Sequence, residues 1–160
     1  MIPRLRILVV AGLVGAWLSG PTLAQESMVW SAKTSGSFVT LGYGPLDPQK
    51  RPVFLLSCLN GVGIAVLSLY MPFPEIEPGT GLTIELSGGD RTVPIAGELA
   101  QDEASGAIYG EAAGIPVTPI LDVLREEGPV TVKVGGVSAE LPDHGRTESV
   151  ERFSKSCKLS

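Results

Sequence analysis

One histidine and two cysteines in 160 residues leave little material for metal or nucleophile chemistry. A zinc or copper site draws several nitrogen and sulfur ligands together, and this chain is short of both, so neither metal is expected. Basic residues are scarce too: Lys and Arg number 12 against 17 Asp and Glu, giving a formal net charge of −5. A general nucleic-acid binder needs a basic surface to displace counterions from phosphate, so that class is excluded. Aromatics make up only 6% and charged residues only 18%. What is plentiful is apolar side chain, at 44%, punctuated by 20 Gly and 13 Pro. That composition is too apolar for a disordered chain, and the length suits one ordinary domain.

The N terminus has the layout of an export signal. Arg4 and Arg6 precede an unbroken apolar run from Ile7 to Leu18, and Ser19-Gly20-Pro21-Thr22-Leu23-Ala24 then supplies small and helix-breaking residues. The run falls short of the roughly 20 residues that span a bilayer as a helix, so cleavage after Ala24 is expected rather than permanent anchoring. Residues 1–24 are thus read as a signal peptide and 25–160 as a single β-rich domain. No later segment replaces the anchor, because Val62–Met71 is interrupted by Gly63 and Ser68. The expected location is periplasmic or secreted. In that oxidising setting Cys58 and Cys157, the only cysteines, are expected to form one disulfide. Closing a loop of about 100 residues contributes about 4 to 5 kcal/mol in the chain-entropy model.

Within the domain the apolar pattern has mostly the period of strands. Phe54–Leu59 and Val62–Tyr70 flank Asn60-Gly61, a strong hairpin signal. Pairing Leu59 with Val62 sets Cys58 opposite Gly63, Leu56 opposite Ala65 and Phe54 opposite Leu67. Leu55, Val53, Val66 and Ile64 make the other face apolar as well, which predicts a ribbon in the middle of a sheet. A second hairpin turns at Gly135-Gly136, and pairing Val134 with Val137 gathers Val130, Val132, Val134, Val137, Ala139 and Leu141 on one face. A third joins Leu82–Leu86 through Ser87-Gly88-Gly89-Asp90 to Arg91–Ala96. Pro94 has no amide hydrogen, which predicts a sheet edge for that last strand.

Fainter strand patterns cover Met28–Ala32, Phe38–Tyr43 and Ala107–Ala112. For a helix, Thr118 can cap, Pro119 suits the first turn, Ile120, Val123 and Leu124 form a stripe, and Gly128 stops it. Between Thr147 and Lys158, helical spacing of Val150, Phe153 and Cys157 predicts a last turn or two that docks Cys157. The expected fold is mainly β: an antiparallel β-sandwich or small barrel with one or two short helices, stapled by one disulfide.

Candidate catalytic groups are few. His144 lies in Pro142-Asp143-His144-Gly145, and no serine sits in a Gly-x-Ser-x-Gly elbow, so the histidine is read as a solvated turn residue. The carboxylate pairs Glu75/Glu77, Asp102/Glu103 and Glu126/Glu127 have the residue type of glycosidase machinery. Sequence adjacency does not place two carboxyls across a cleft, so they are read as surface charges. No cofactor and no catalytic residue is called, and the chain is read as a binding or accessory protein rather than an enzyme.

Two resemblances bear on partners. The signal peptide, the early Trp30, Leu55-Leu56-Ser57-Cys58, Pro119-Ile120-Leu121 with Leu124, Leu141-Pro142 and the closing Phe153 to Cys157 spacing are similar to small exported bacterial envelope proteins of unassigned function, including the invasion-associated locus B proteins. That resemblance implies a non-catalytic envelope role and an envelope or host protein as partner. Ser105-Gly106-Ala107-Ile108-Tyr109 resembles the Ser-Gly-x-x-Tyr loop with which periplasmic C-type lysozyme inhibitors enter the lysozyme cleft. It implies Ser105 and Tyr109 as partner-binding residues.

Overall fold

The computed structural model describes residues 27–74 and 77–157. The expected signal peptide and Glu75 lie outside them. Nine strands run in chain order: β1 (Met28–Ser35), β2 (Phe38–Pro45), β3 (Phe54–Leu59), β4 (Ile64–Leu69), β5 (Gly81–Gly88), β6 (Arg91–Gln101), β7 (Ile108–Pro116), β8 (Val130–Val134) and β9 (Val137–Leu141). Helix α1 (Val117–Leu124) separates β7 from β8, and α2 (Arg146–Ser156) follows β9. The strands form one antiparallel sheet in the order β1-β2-β3-β4-β7-β6-β5-β8-β9. The expected mainly-β class, two short helices and single disulfide are all present.

The sheet curls around its apolar face. Trp30 on edge strand β1 packs against Tyr43 and Phe54, and its indole N–H donates to Pro142 O just beyond the other edge strand, at 2.7 Å. Helix α2 packs on β1, β2 and α1, burying Val150 and Phe153. Its C-terminal Cys157 bonds to Cys58 on β3. Both half-cystines are buried, so the disulfide ties the helix to the centre of the core.

Two hairpins test the sequence reading. In β8–β9 Val134 pairs with Val137 and Val130 with Leu141, the predicted register. Alternation and turn chemistry point the same way there, and Gly135 supplies the positive φ of +57°. In β3–β4 the hairpin forms but slips by two residues: Cys58 faces Ala65, not Gly63, and Phe54 faces Leu69. The positive-φ residues are Gly61 and Gly63, which lengthens the turn. Tertiary hydrogen bonds hold the longer turn: Asn60 N–H donates to Ser37 O, Gly61 N–H to Cys157 O, and Val117 N–H to Gly63 O. A two-residue slip preserves side-chain parity, so Phe54, Leu56 and Cys58 still face the core.

Two further expectations need correction. Strand β6, which carries Pro94, lies inside the sheet order between β7 and β5. It pairs with β7 only from Glu98 to Gln101, however, so Arg91–Ala96 has an unpaired side. Counting pairs from the Gly88–Arg91 closure places Pro94 at a non-hydrogen-bonded position opposite Glu85, with its nitrogen aimed at that open side. The residue avoids the ladder as predicted, although its strand is internal. Helix α1 begins at Val117, with Pro116 in the N-cap position and no side-chain cap, so Thr118 lies in the first turn instead of capping it. Strand β7 runs directly into the helix because Val117 is fully buried and its amide is already satisfied by Gly63 O.

Arg146 completes this end of the fold. It is 1% exposed, yet its guanidinium donates to the carbonyls of Leu124, Glu126, Gly128 and Leu141. The first three are carbonyls that the end of α1 and the following turn leave without helical partners, and the fourth closes β9. Desolvation lowers the pKa of Arg146 from its ordinary value, and the carbonyl oxygens replace the lost water.

Candidate functional site

Side chains on the outer face of the β1–β4 and β7 region divide into two groups at opposite ends of the strands. The first collects the residues named from the inhibitor-like motif. The β6–β7 loop is closed by Asp102: the Ser105 amide and hydroxyl both donate to Asp102 Oδ1, each at 2.8 Å. Arg51, arriving from the β2–β3 connection, donates to Ser105 Oγ at 2.8 Å and pairs with Asp102 at 2.9 Å. The Ala107 amide also donates to Ser105 Oγ, at 3.2 Å. One donated and two accepted bonds use the full capacity of that hydroxyl. The Ser105 hydroxyl and amide, followed by Arg51, hold the Asp102 carboxyl below the ordinary value of 3.8.

Tyr109 is nearby but differently placed. Its half-buried ring stacks on Tyr70 with centroids 5.0 Å apart, and the Arg51 guanidinium lies 5.3 Å from the Tyr70 centroid. The Tyr109 hydroxyl donates to Glu111 at 3.2 Å. Burial raises the pKa of both phenols, so each keeps its proton through neutral pH. The structure therefore brings Ser105 and Tyr109 onto one surface, Ser105 exposed and Tyr109 half-covered, with Arg51, Tyr70 and Glu111 as neighbours not visible from the motif. Arg51 and Tyr70 come from other segments, and no local spacing announces them, whereas Glu111 lies two residues along β7 from Tyr109.

The second group is apolar. Phe38 pairs with Leu59 across β2–β3. Ile64 starts β4 next to the Cys58–Ala65 pair, which sets it beside Leu59, and it pairs with Pro116 of β7. With Val62 in the intervening turn, these residues form a row across four strands. Phe38 is 60% exposed, and Leu59, Val62 and Ile64 are 43%, 49% and 47% exposed. The sequence showed a ribbon apolar on both faces, and β3 and β4 do lie inside the sheet order. Only the face bearing Phe54, Leu56 and Cys58 is buried, whereas Leu59 and Ile64 face outward uncovered. Close by, the Asn60 side-chain oxygen is buried without a hydrogen-bond partner among the described residues.

The remaining candidates are dispersed. Glu126 forms an ion pair with Arg91 at 2.6 Å, on a different part of the surface from Asp102. Glu77, Glu103, Glu127 and His144 are exposed, the last in the turn before α2. Among the described residues no group of three or more His, Cys, Asp or Glu is arranged to hold a metal ion, and no helix is long and apolar enough to cross a membrane. No family model, curated protein or solved structure matches the chain.

Proposed function

We propose that this is an exported, soluble envelope protein with a non-catalytic binding role, and that it meets a protein partner through the Phe38–Leu59–Ile64–Pro116 row. The observation that carries this reading is the continuity of the row. Single exposed apolar residues are ordinary on soluble proteins, whereas contiguous large ones mark contact surfaces. An outward antiparallel face with an aromatic at one end suits the dry centre of an interface, where a few large side chains supply most of the binding energy. Export is supported by the charged, apolar and small-residue sequence at positions 4–24 and by the buried disulfide, which favours an oxidising compartment.

The test is affinity capture from an envelope extract with immobilised protein, beside a Phe38→Ser/Ile64→Ser variant and a Ser105→Ala/Tyr109→Ala variant. A single partner retained by the second variant and lost by the first is the expected result, with each serine costing about 2 kcal/mol of binding if it replaces a hot-spot side chain. A partner that tolerates both serines refutes the row as the contact. Loss only in the Ser105/Tyr109 variant, together with inhibition of a C-type lysozyme by the parent protein, would establish the inhibitor reading instead.

A further inference from the structure

The inner face of the curled sheet is not filled equally along its length. At one end α1, α2 and Arg146 cover it, and the inward side chains there, including Leu124, Val130 and Leu141, are fully buried. At the other end the inward stripe continues through Leu82 of β5, Leu99 of β6, Val134 of β8 and Val137 of β9, and no helix of the described residues lies over it. These residues line a hollow of about 580 Å³, walled on the remaining side by Pro72 and Phe73. Leu99 and Val134 form its buried floor, and Leu82 and Val137 are half-exposed at its rim.

The Phe73 wall is built into the sheet. Its ring rests on Gly110 of β7, where an added Cβ would come within 3.2 Å of the ring, so the glycine makes room for the aromatic. Native cores contain few voids larger than a water molecule, and a hollow of this size falls within the ordinary range for small-molecule pockets, about 300 to 1,000 Å³. Open mouths of curled and closed sheets are recurrent ligand sites for this reason.

The lining also defines the class of ligand. Among the described residues, no charged side chain contributes to it. Of its two side-chain hydroxyls, Thr80 already donates to Glu77 O at 2.7 Å, leaving Thr83. An anionic amphiphile would find no cation in the hollow, within a chain whose net charge is already −5. A cationic one would find no carboxylate among the described lining residues. We infer that the hollow between Phe73 and the β8–β9 turn binds the apolar body of an uncharged small molecule, an alkyl chain or fused ring with a neutral polar head. This site is separate from the outer row and does not depend on the partner proposed for it.

The experiment is a fluorescence titration of the purified protein with N-phenyl-1-naphthylamine, an uncharged probe, followed by competition. Saturable binding of one probe per chain is expected, with displacement by 1-decanol and about tenfold weaker displacement by decanoate at neutral pH. Val137→Trp and, independently, Leu82→Phe fill the hollow from its rim. Each is expected to weaken the probe about tenfold while thermal melting stays cooperative. Absence of saturable binding by the parent protein overturns the inference, as does parent-like binding by either variant in folded form. Equal displacement by decanol and decanoate overturns the assignment to neutral ligands. Loss of the probe in Phe38→Ser/Ile64→Ser with retention in Val137→Trp would move the probe to the outer row and also overturn it.

Discussion

The two ends of the curled sheet are finished in different ways. At the helix-covered end, buried polar groups other than the Asn60 side-chain oxygen are matched: Arg146 takes carbonyls of four residues, the Val117 amide reaches Gly63, and Cys157 anchors α2 to β3. At the open end the loop polar groups are satisfied among themselves, as in the Arg51–Asp102–Ser105 cluster, but the apolar layer above Leu99 and Val134 is left uncovered. The contrast teaches where the molecule concentrates its stability and where it leaves room. Tight packing and a covalent tie at one end allow the other to keep a hollow that would otherwise collapse.

The largest effect should come from the disulfide. A Cys58→Ser/Cys157→Ser protein is expected to lose about 4 kcal/mol of unfolding free energy in urea titration. A loss no greater than that of a surface substitution would mean that α2 is held by Val150 and Phe153 packing alone. Next is Arg146→Ala, which leaves carbonyls at the end of α1 buried and unpaired and is expected to cost about 3 kcal/mol by the same measurement. Arg146→Lys should recover only part of it, because an ammonium cannot spread its donors over four carbonyl groups as the guanidinium does. If the alanine variant is as stable as the parent, the helix-covered end does not depend on this side chain and the contrast between ends fails.

The smallest effect belongs to the open end and depends on pH. The folded-state pKa of Asp102 is depressed, so its contribution is present above the ordinary value of 3.8 and is lost as the pH falls through the folded value. Amide exchange at Ser105 should therefore show constant protection at neutral pH and a loss of protection only in strong acid. The β8–β9 amides should not follow this transition. Asp102→Asn should remove the pH dependence while leaving cooperative unfolding intact. A simultaneous change at both places would show that the loop and the core unfold as one unit.

Much of this fold is written in local pattern. The β8–β9 register was legible because its turn, alternation and polar face agree, and the docking of Cys157 was legible because helical spacing and cysteine count agree. The β3–β4 slip was not, since Asn60-Gly61 offered a shorter turn than the one that Ser37, Cys157 and Val117 hold in place. No local pattern singles out Arg146, because the carbonyls it serves arrive from α1, the turn after it and β9. The motif drew attention to Ser105 and Tyr109, but their commitments to Arg51 and Tyr70 depend on segments distant in the chain.

The sequence by itself determined the mainly-β class, the apolar faces of the hairpins and the cysteine pair available for one disulfide. Periodicity, turn residues and cysteine count act over a few residues or by simple elimination, and they survive any arrangement of the strands. Only the tertiary structure decided which apolar face is covered, which polar groups are already satisfied and where the inner layer stays open. Those outcomes depend on the curl of the sheet and on helices docking across distant strands, and such long-range packing has no local signature.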